Sequence, residues 1–315
     1  MTNIAIYLSS RNNYDLLEDL FLKTTDLEGY QLYNIDDFSD PEEIEKGREI
    51  CARNNIKFIP NKNRGLQWAA QTMIDNIDDN IKYIVWCSHD TFPLTSKFFK
   101  NIDEKVSSGK LDSFGMVGFN AFGPQNGNDK PEAIKKNTCG ILGRALLMKL
   151  PVVGQAGSGW FKSKDVTLEW EKWGSACVVD TPNSFFEMFN VELFKKYITP
   201  SDKYHLFFAH DDIAMQFLNN NVYNIVLPDL LIWHDQRLKL KFNIPLRSAG
   251  AAKMGDTRHF GDYGPHLKHW EKTWGWDRHD RETLKSVIDR YEGTLIYDLY
   301  HHDFNTGPIR SFDLG

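Results

Sequence analysis

The sequence predicts an α/β protein built on a doubly wound, mostly parallel sheet with helices on both faces. Two observations carry this. Short apolar runs alternate with stretches of helical period through the first third of the chain, the order that parallel β-α-β units require. The chain's 315 residues, 41% hydrophobic and 25% charged, suit one large α/β domain with an appendage, and bury enough apolar surface to fold without staples.

Taken in order, Ile4 to Leu8 reads as a buried strand, and Tyr14 to Lys23 as a helix with Leu16, Leu17, Leu20 and Phe21 on one face. Tyr30 to Ile35 is a second strand, ending in Asp36-Asp37. Pro41 opens a helix, where its missing N–H costs nothing. Lys57 to Pro60, Arg64 to Ile77 and Ile81 to Cys87 read as strand, helix and strand. A further strand covers 114–120, and Gly-, Asn- and Pro-rich loops cover 121–135 and 151–164. Ser175 to Asp180 is a strand, Val191 to Lys196 and Asp212 to Leu218 are helices, and Asn224 to Leu227 and Leu230 to His234 are closing strands. Beyond about residue 236 aromatic, histidine and basic residues mix with glycines, and a final helix runs near Arg281 to Tyr291. The division expected is a core over 1–235, with a nucleotide half to about 95 and an acceptor half after it, then a C-terminal extension over 236–315.

The net charge of −6 argues against a large non-specific nucleic-acid surface. Cys51, Cys87, Cys139 and Cys177 lie far apart with no CxxC pair, which excludes a zinc-ribbon or disulfide framework and favours a reducing compartment. The N-terminus lacks the basic and apolar regions of a signal peptide, and no apolar run reaches the ~20 residues that span a bilayer. A soluble, cytoplasmic protein is expected.

In doubly wound sheets, ligands bind at the carboxyl ends of the strands. The polar sets there are Ser9 to Asn12, Asp36-Asp37, Asn61 to Gly65 and Ser88-His89-Asp90. Adjacent acids at the end of a buried strand are costly unless they bind something. One carboxylate can accept from a base N–H or a ribose hydroxyl, and another can hold a hard divalent cation that meets phosphates. Neither a P-loop nor a GxGxxG is present. Each feature alone also has a plain structural reading: Asp36-Asp37 as a turn, Asn63 as a helix cap, His89-Asp90 as a capped turn, Asp211-Asp212 as a pair complementing a helix dipole, and His234 as an edge histidine. Their coincidence at element ends on one side favours a ligand site. His259, His266, His269, His301 and His302 read as surface residues. Trp160, Trp170 and Trp173 suit either a core or stacking on a sugar or base.

The order of segments resembles glycosyltransferase family 2, whose fold is of the GT-A type. IAIYLSSRNN resembles its opening strand, YNIDDFSD its "VVDDGSTD" segment, and NKNRGLQWAAQTMI its "N-x-G-x-x-x-A" helix start. IVWCSHDTFP stands at the D-x-D strand, SACVVDTPNSFFEMFNVELFKKY at the strand and helix after the acceptor loop, and FFAHDDIAMQFL at the "EDxDLxxR" helix. NIVLPDLLIWHD resembles the last core strand, and HLKHWEKTWGW the "KWG" segment beyond it. The match covers roughly residues 3–276.

The resemblance implies an inverting transfer of a sugar from a pyrimidine nucleoside-diphosphate sugar to an acceptor hydroxyl, dependent on Mn²⁺ or Mg²⁺. Asp37 would contact the uracil or thymine, with Ser9, Asn12, Asp36, Asn63, Gly65, Ser88 and His89 lining the nucleotide. Asp90 and His234 would ligate the metal. Of Asp211 and Asp212, the second would deprotonate the acceptor. The loop over 151–164 would close on the substrates. The sequence departs from the pattern at Ser88, which replaces the first D-x-D acid, and at Leu218, which replaces the helix arginine; Arg237 and Arg247 are candidates for that lost phosphate contact. The acceptor could be a glycan, a lipid-linked glycan, a protein or a modified nucleic-acid base, the last because Arg258 to Arg278 mixes basic and aromatic residues. Other readings are a nucleotidyltransferase and a non-catalytic nucleotide-sugar-binding module.

Overall fold

The computed structural model describes residues 2–12, 14–89, 91–95, 97–122, 176–182, 186–205, 208–234, 263–278, 280–302, 309, 310, 312 and 314. The strands are β1 (Ile4–Ser10), β2 (Leu32–Asp36), β3 (Lys57–Pro60), β4 (Tyr83–Cys87), β5 (Thr91–Pro93), β6 (Phe114–Phe122), β7 (Cys177–Val179), β8 (Phe186–Asn190) and β9 (Tyr223–His234). Among the described residues they form one nine-stranded sheet, ordered β3-β2-β1-β4-β8-β6-β9-β5, with β7 paired to β9. β3, β2, β1 and β4 are parallel neighbours, and β6 is parallel to β9. β8, β5 and β7 run against their neighbours, so the sheet is mixed while most strands share one direction.

The first helical segment, α1, joins an α turn (Tyr14–Leu16), a π-type stretch (Leu17–Phe21) and a last α turn (Leu22–Thr24). Then come α2 (Pro41–Arg53), α3 (Leu66–Ile74), α4 (Phe98–Ser107), α5 (Val191–Tyr197) and α6 (Ala209–Asn219). The C-terminal part holds α7 (Tyr263–Trp274), α8 (Arg281–Lys285), a 3₁₀ turn (Ile288–Tyr291) and α9 (Leu295–His301). The final helix expected over 281–291 is thus broken after Lys285. No helix among the described residues is long and apolar enough to cross a membrane.

Two glycines let helices close onto their neighbours. A Cβ at Gly47 of α2 would meet the Tyr14 ring at 2.4 Å, and one at Gly115 of β6 would meet the Phe217 ring of α6 at 2.5 Å. The core between α4 and the sheet is aromatic. Phe98 sits edge-on to Phe119 at 4.9 Å and to Phe186 at 5.4 Å, geometries that add to simple burial. Cys51 and Cys87 are buried free thiols.

Several elements differ from the sequence reading, for physical reasons. β8 is buried at all five positions, so FEMFN carries no alternation to mark it as a strand. It inserts antiparallel between β4 and β6, where the helical pattern that follows overshadows it. The two closing strands are one, β9, whose register against β6 jumps from Leu227 to Leu231. Pro228 lies in that irregularity, where a missing N–H is tolerated. Residues 121 and 122 end β6 instead of opening a loop. The rest of the 121–135 loop, and all of the 151–164 loop with Trp160, Trp170 and Trp173, lie outside the described residues.

Candidate functional site

The carboxyl ends of β1, β2 and β4 gather the N-terminal polar sets. Asp36 ends β2, and its carboxylate accepts from the Tyr14 hydroxyl at 2.5 Å and from Ser39 N at 3.4 Å. Asp36 is therefore spent on anchoring α1 and the turn. Asp37 follows it, and its N–H donates to Ser10 O at 2.8 Å. Oδ1 of Asp37 accepts from Gly65 N at 2.7 Å and from Asn61 Nδ2 at 2.9 Å. Burial raises its pKa above the ordinary carboxylate value, against the pull of these donors and of the Arg11 and Arg64 guanidiniums.

Gly65 permits this geometry. Its φ is +116°, and a Cβ would lie 2.6 Å from Tyr204 O. The helix that follows begins without a side-chain cap, so Asn63, exposed in the preceding turn, is not the cap its sequence suggested. Leu66 N instead donates to His205 O at 3.2 Å. Arg64 and His205 both have their pKa values lowered, first by burial and next by a neighbouring guanidinium, which makes this a shared cationic neighbourhood beside Asp37.

Asn12, at φ +50°, bridges the first loop to the second. Its N–H donates to Ser39 Oγ at 3.1 Å, its Nδ2 to Asp40 Oδ2 at 2.9 Å, and its Oδ1 accepts from Asp40 N at 2.8 Å. Ser9 is half-buried within β1. After β4, Ser88 is half-buried, and the buried His89 shares a 2.9 Å hydrogen bond with Ser10 Oγ, which also pairs with Asn34.

Asp90 and the His234 side chain lie outside the described residues. Next to Asp90 in the chain, β5 pairs with β9 in a register that sets Thr91 opposite His234. Among the described residues no three His, Cys, Asp or Glu side chains gather as a ready metal centre.

The second acidic pair opens α6, which packs on α3. Both carboxylates are buried. Asp212 Oδ2 accepts from Gln67 Nε2 at 2.9 Å and Gln216 Nε2 at 2.7 Å, and its Oδ1 accepts from Trp274 Nε1 at 2.8 Å. Burial raises its pKa despite these donors. Asp211 points elsewhere. Its Oδ2 pairs with Arg278 at 2.6 Å, and its Oδ1 accepts from Thr181 at 3.4 Å, just past β7. Arg278 also lies over the Phe208 ring at 4.8 Å. His210, one residue before, stacks on Trp86 at 4.7 Å and contacts the fully buried Glu187 of β8.

Gln67, Arg278, Glu187 and His210 carry no signal of their own in the sequence, because each gains meaning only from contacts far along the chain; Trp274 is the tryptophan of the segment that resembles "KWG". Leu218 is fully buried, so nothing at that position reaches a phosphate; Arg237 and Arg247 lie outside the described residues. In the C-terminal stretch Trp270, Trp274 and Trp276 are buried, Trp270 against Phe208 and the other two against Trp270, while Arg258, His259 and Phe260 lie outside the described residues. His266, expected at the surface, is buried as well.

No protein-family model and no curated protein sequence matches the chain. Solved structures do. One titled as a mannosyltransferase, PcManGT from Pyrobaculum calidifontis, in complex with GDP-Man and Mn²⁺, superposes with a TM-score of 0.50 at 11% identity, covering 86% of this chain and 64% of that one. Another, titled as GalNAc-T7 with UDP, GalNAc and Mn²⁺, gives 0.59 at 10% identity, covering 97% of this chain and 57% of that one. The chain spans less than two thirds of either protein. Its own mixed sheet, with helices on both faces and its polar sets at the strand ends, is the GT-A fold of glycosyltransferases.

Proposed function

We propose that the protein is a glycosyltransferase that takes a sugar from a nucleoside-diphosphate sugar and passes it, with inversion, to an acceptor hydroxyl. The observation that supports this reading is the Thr91–His234 register, which sets the first residue of β5 opposite the last of β9, on a fold shared with two proteins solved with nucleotides and Mn²⁺. The Asp90 carboxylate and the His234 imidazole suit Mn²⁺, or Mg²⁺ with water completing the shell. Bound there, the cation would neutralise the leaving diphosphate as a Lewis acid.

The chain's own residues supply the rest. Oδ1 of Asp37 is taken by Asn61 and Gly65, which leaves Oδ2 for the N3–H of uracil or thymine and favours a pyrimidine donor. Arg11 and Arg64 offset negative charge beside it. For the base we favour Asp211 over Asp212. Three donors hold Asp212, from Gln67, Gln216 and Trp274, on the side of α3 and α7, whereas Asp211 faces Thr181 and Arg278. A carboxylate accepting the acceptor's proton contributes roughly 10²–10⁴ in rate.

The test is a panel of UDP-, TDP-, GDP- and ADP-sugars, assayed for hydrolysis and transfer with Mn²⁺ and again after EDTA. Turnover of a UDP- or TDP-sugar that EDTA abolishes is expected. Full activity in EDTA would remove the metal from the reading, and nucleotide transfer with diphosphate release would make the protein a nucleotidyltransferase.

A further inference from the structure

Among the described residues, the large apolar side chains left exposed are Phe38, at 49%, and Leu94, at 48%. Phe38 is unusual on a second count: its φ is +60°, in the left-handed region where a bulky residue is a genuine outlier. The loop around it imposes that conformation. Asp37 is tied to Ser10, Asn61 and Gly65; Ser39 is tied to Asp36 and Asn12; Asp40 is tied to Asn12. With both neighbours fixed, the chain passes through Phe38 with its ring turned to solvent.

Phe208 makes the comparison sharp. It too has a left-handed backbone, at φ +64°, but its ring is buried beneath Arg278 and beside Trp270. Packing offsets the strain there. At Phe38 nearly half the side chain stays in water, and glycine would adopt the same turn without cost. A strained, exposed aromatic held in place just past the carboxyl end of β2 is an outlier of the kind that marks a binding role.

We infer that the Phe38 ring is the stacking platform for the nucleobase of the donor, with the adjacent Asp37 reading the edge of the same base. This rests on the nucleotide-sugar reading above. An aromatic face stacks on any base, and a neighbouring carboxylate selects one that presents an N–H, so the two residues divide affinity from selectivity.

The experiment is calorimetry with Mn²⁺ on wild type, Phe38→Gly and Phe38→Trp, titrating UDP, GDP and ribose 5-diphosphate, which has no base. Phe38→Gly should weaken the better-bound nucleotide roughly tenfold, in line with losses of single stacking partners, and leave ribose 5-diphosphate unchanged. Phe38→Trp should keep nucleotide affinity. The thermal midpoint of Phe38→Gly should be no lower than that of wild type, which separates lost binding from lost folding. Wild-type nucleotide affinity in Phe38→Gly would overturn the inference, and so would an equal loss for nucleotide and ribose 5-diphosphate. If wild type binds neither UDP nor GDP, the nucleotide-sugar reading falls as well.

Discussion

Two pairs of adjacent aspartates stand at element ends, Asp36-Asp37 at and after the end of β2 and Asp211-Asp212 in the first turn of α6. In each pair one carboxylate is an anchor and the other is set among guanidiniums. Asp36 holds Tyr14 and the Ser39 turn; Asp212 holds Gln67, Gln216 and Trp274. Asp37 lies among Arg11 and Arg64, and Asp211 against Arg278. Order differs with the element. At the end of a strand the first acid still belongs to the sheet and the second leaves it. On a helix the two diverge by about 100°, so one faces β7 while its neighbour faces α3 and α7. Doubled acids in a sequence are thus not a doubled function: one of each pair fixes the backbone that aims the other.

Substitutions at the α6 pair should break or sharpen this contrast most. Asp211→Asn should slow donor turnover by about 10²-fold or more, with nucleotide affinity within about twofold, since a base acts in the transition state. Steady-state rates and calorimetry on one preparation check it; equal loss from Asp212→Asn in a fully folded protein would return the base to Asp212. Asp212→Ala strands three donors in the interior and should cost about 3 kcal/mol of stability, read by urea denaturation. A variant as stable as wild type would show that the carboxylate is no anchor.

The β2 pair should respond less. Gly65→Ala must place a Cβ against Tyr204 O at a positive φ, at a cost of about 2 kcal/mol, and should weaken nucleotide binding as the Gly65 N–H moves off Asp37. Binding and unfolding measured together check both halves. The smallest effect is in pH. The native pKa of Asp37 is raised from 3.8 by burial, so its charged form is disfavoured in the fold. Its contribution is favourable at low pH and is lost as pH rises from 3.8 through the raised native value. Asp37→Asn keeps the Oδ1 acceptor and removes the titration. Its stability relative to wild type should therefore climb across that window, and a flat difference would contradict the assignment.

The parallel half of the sheet was legible because β1, β2 and β3 are each followed by a helical segment, and because Asp36 and Asp37 fall where such a strand ends. The mixed half was legible only in part: β6, β7 and both stretches of β9 were read as strands, while β8, β5 and the continuity of β9 were not. β8 is buried throughout and carries its two polar residues, Glu187 and Asn190, out of any alternation, β5 is only three residues long, and β9 hides its continuity behind Pro228. The roles within the acidic pairs were illegible for another reason. What decides them is the partner across the fold, and neither Gln67 nor Arg278 carries any local mark of it.

The Asp212 anchor also bears on how the molecule assembles. Two of its three donors come from positions 145 residues before it and 62 residues after it. Contacts of such separation form only once the intervening loops have closed, and they repay that entropy late. A ribosome that has released residues up to the end of β9 has made every strand of the sheet, yet the first turn of α6 still waits for the indole of Trp274. Full order around the Asp212 carboxylate therefore arrives only with Trp274, after every strand of the sheet.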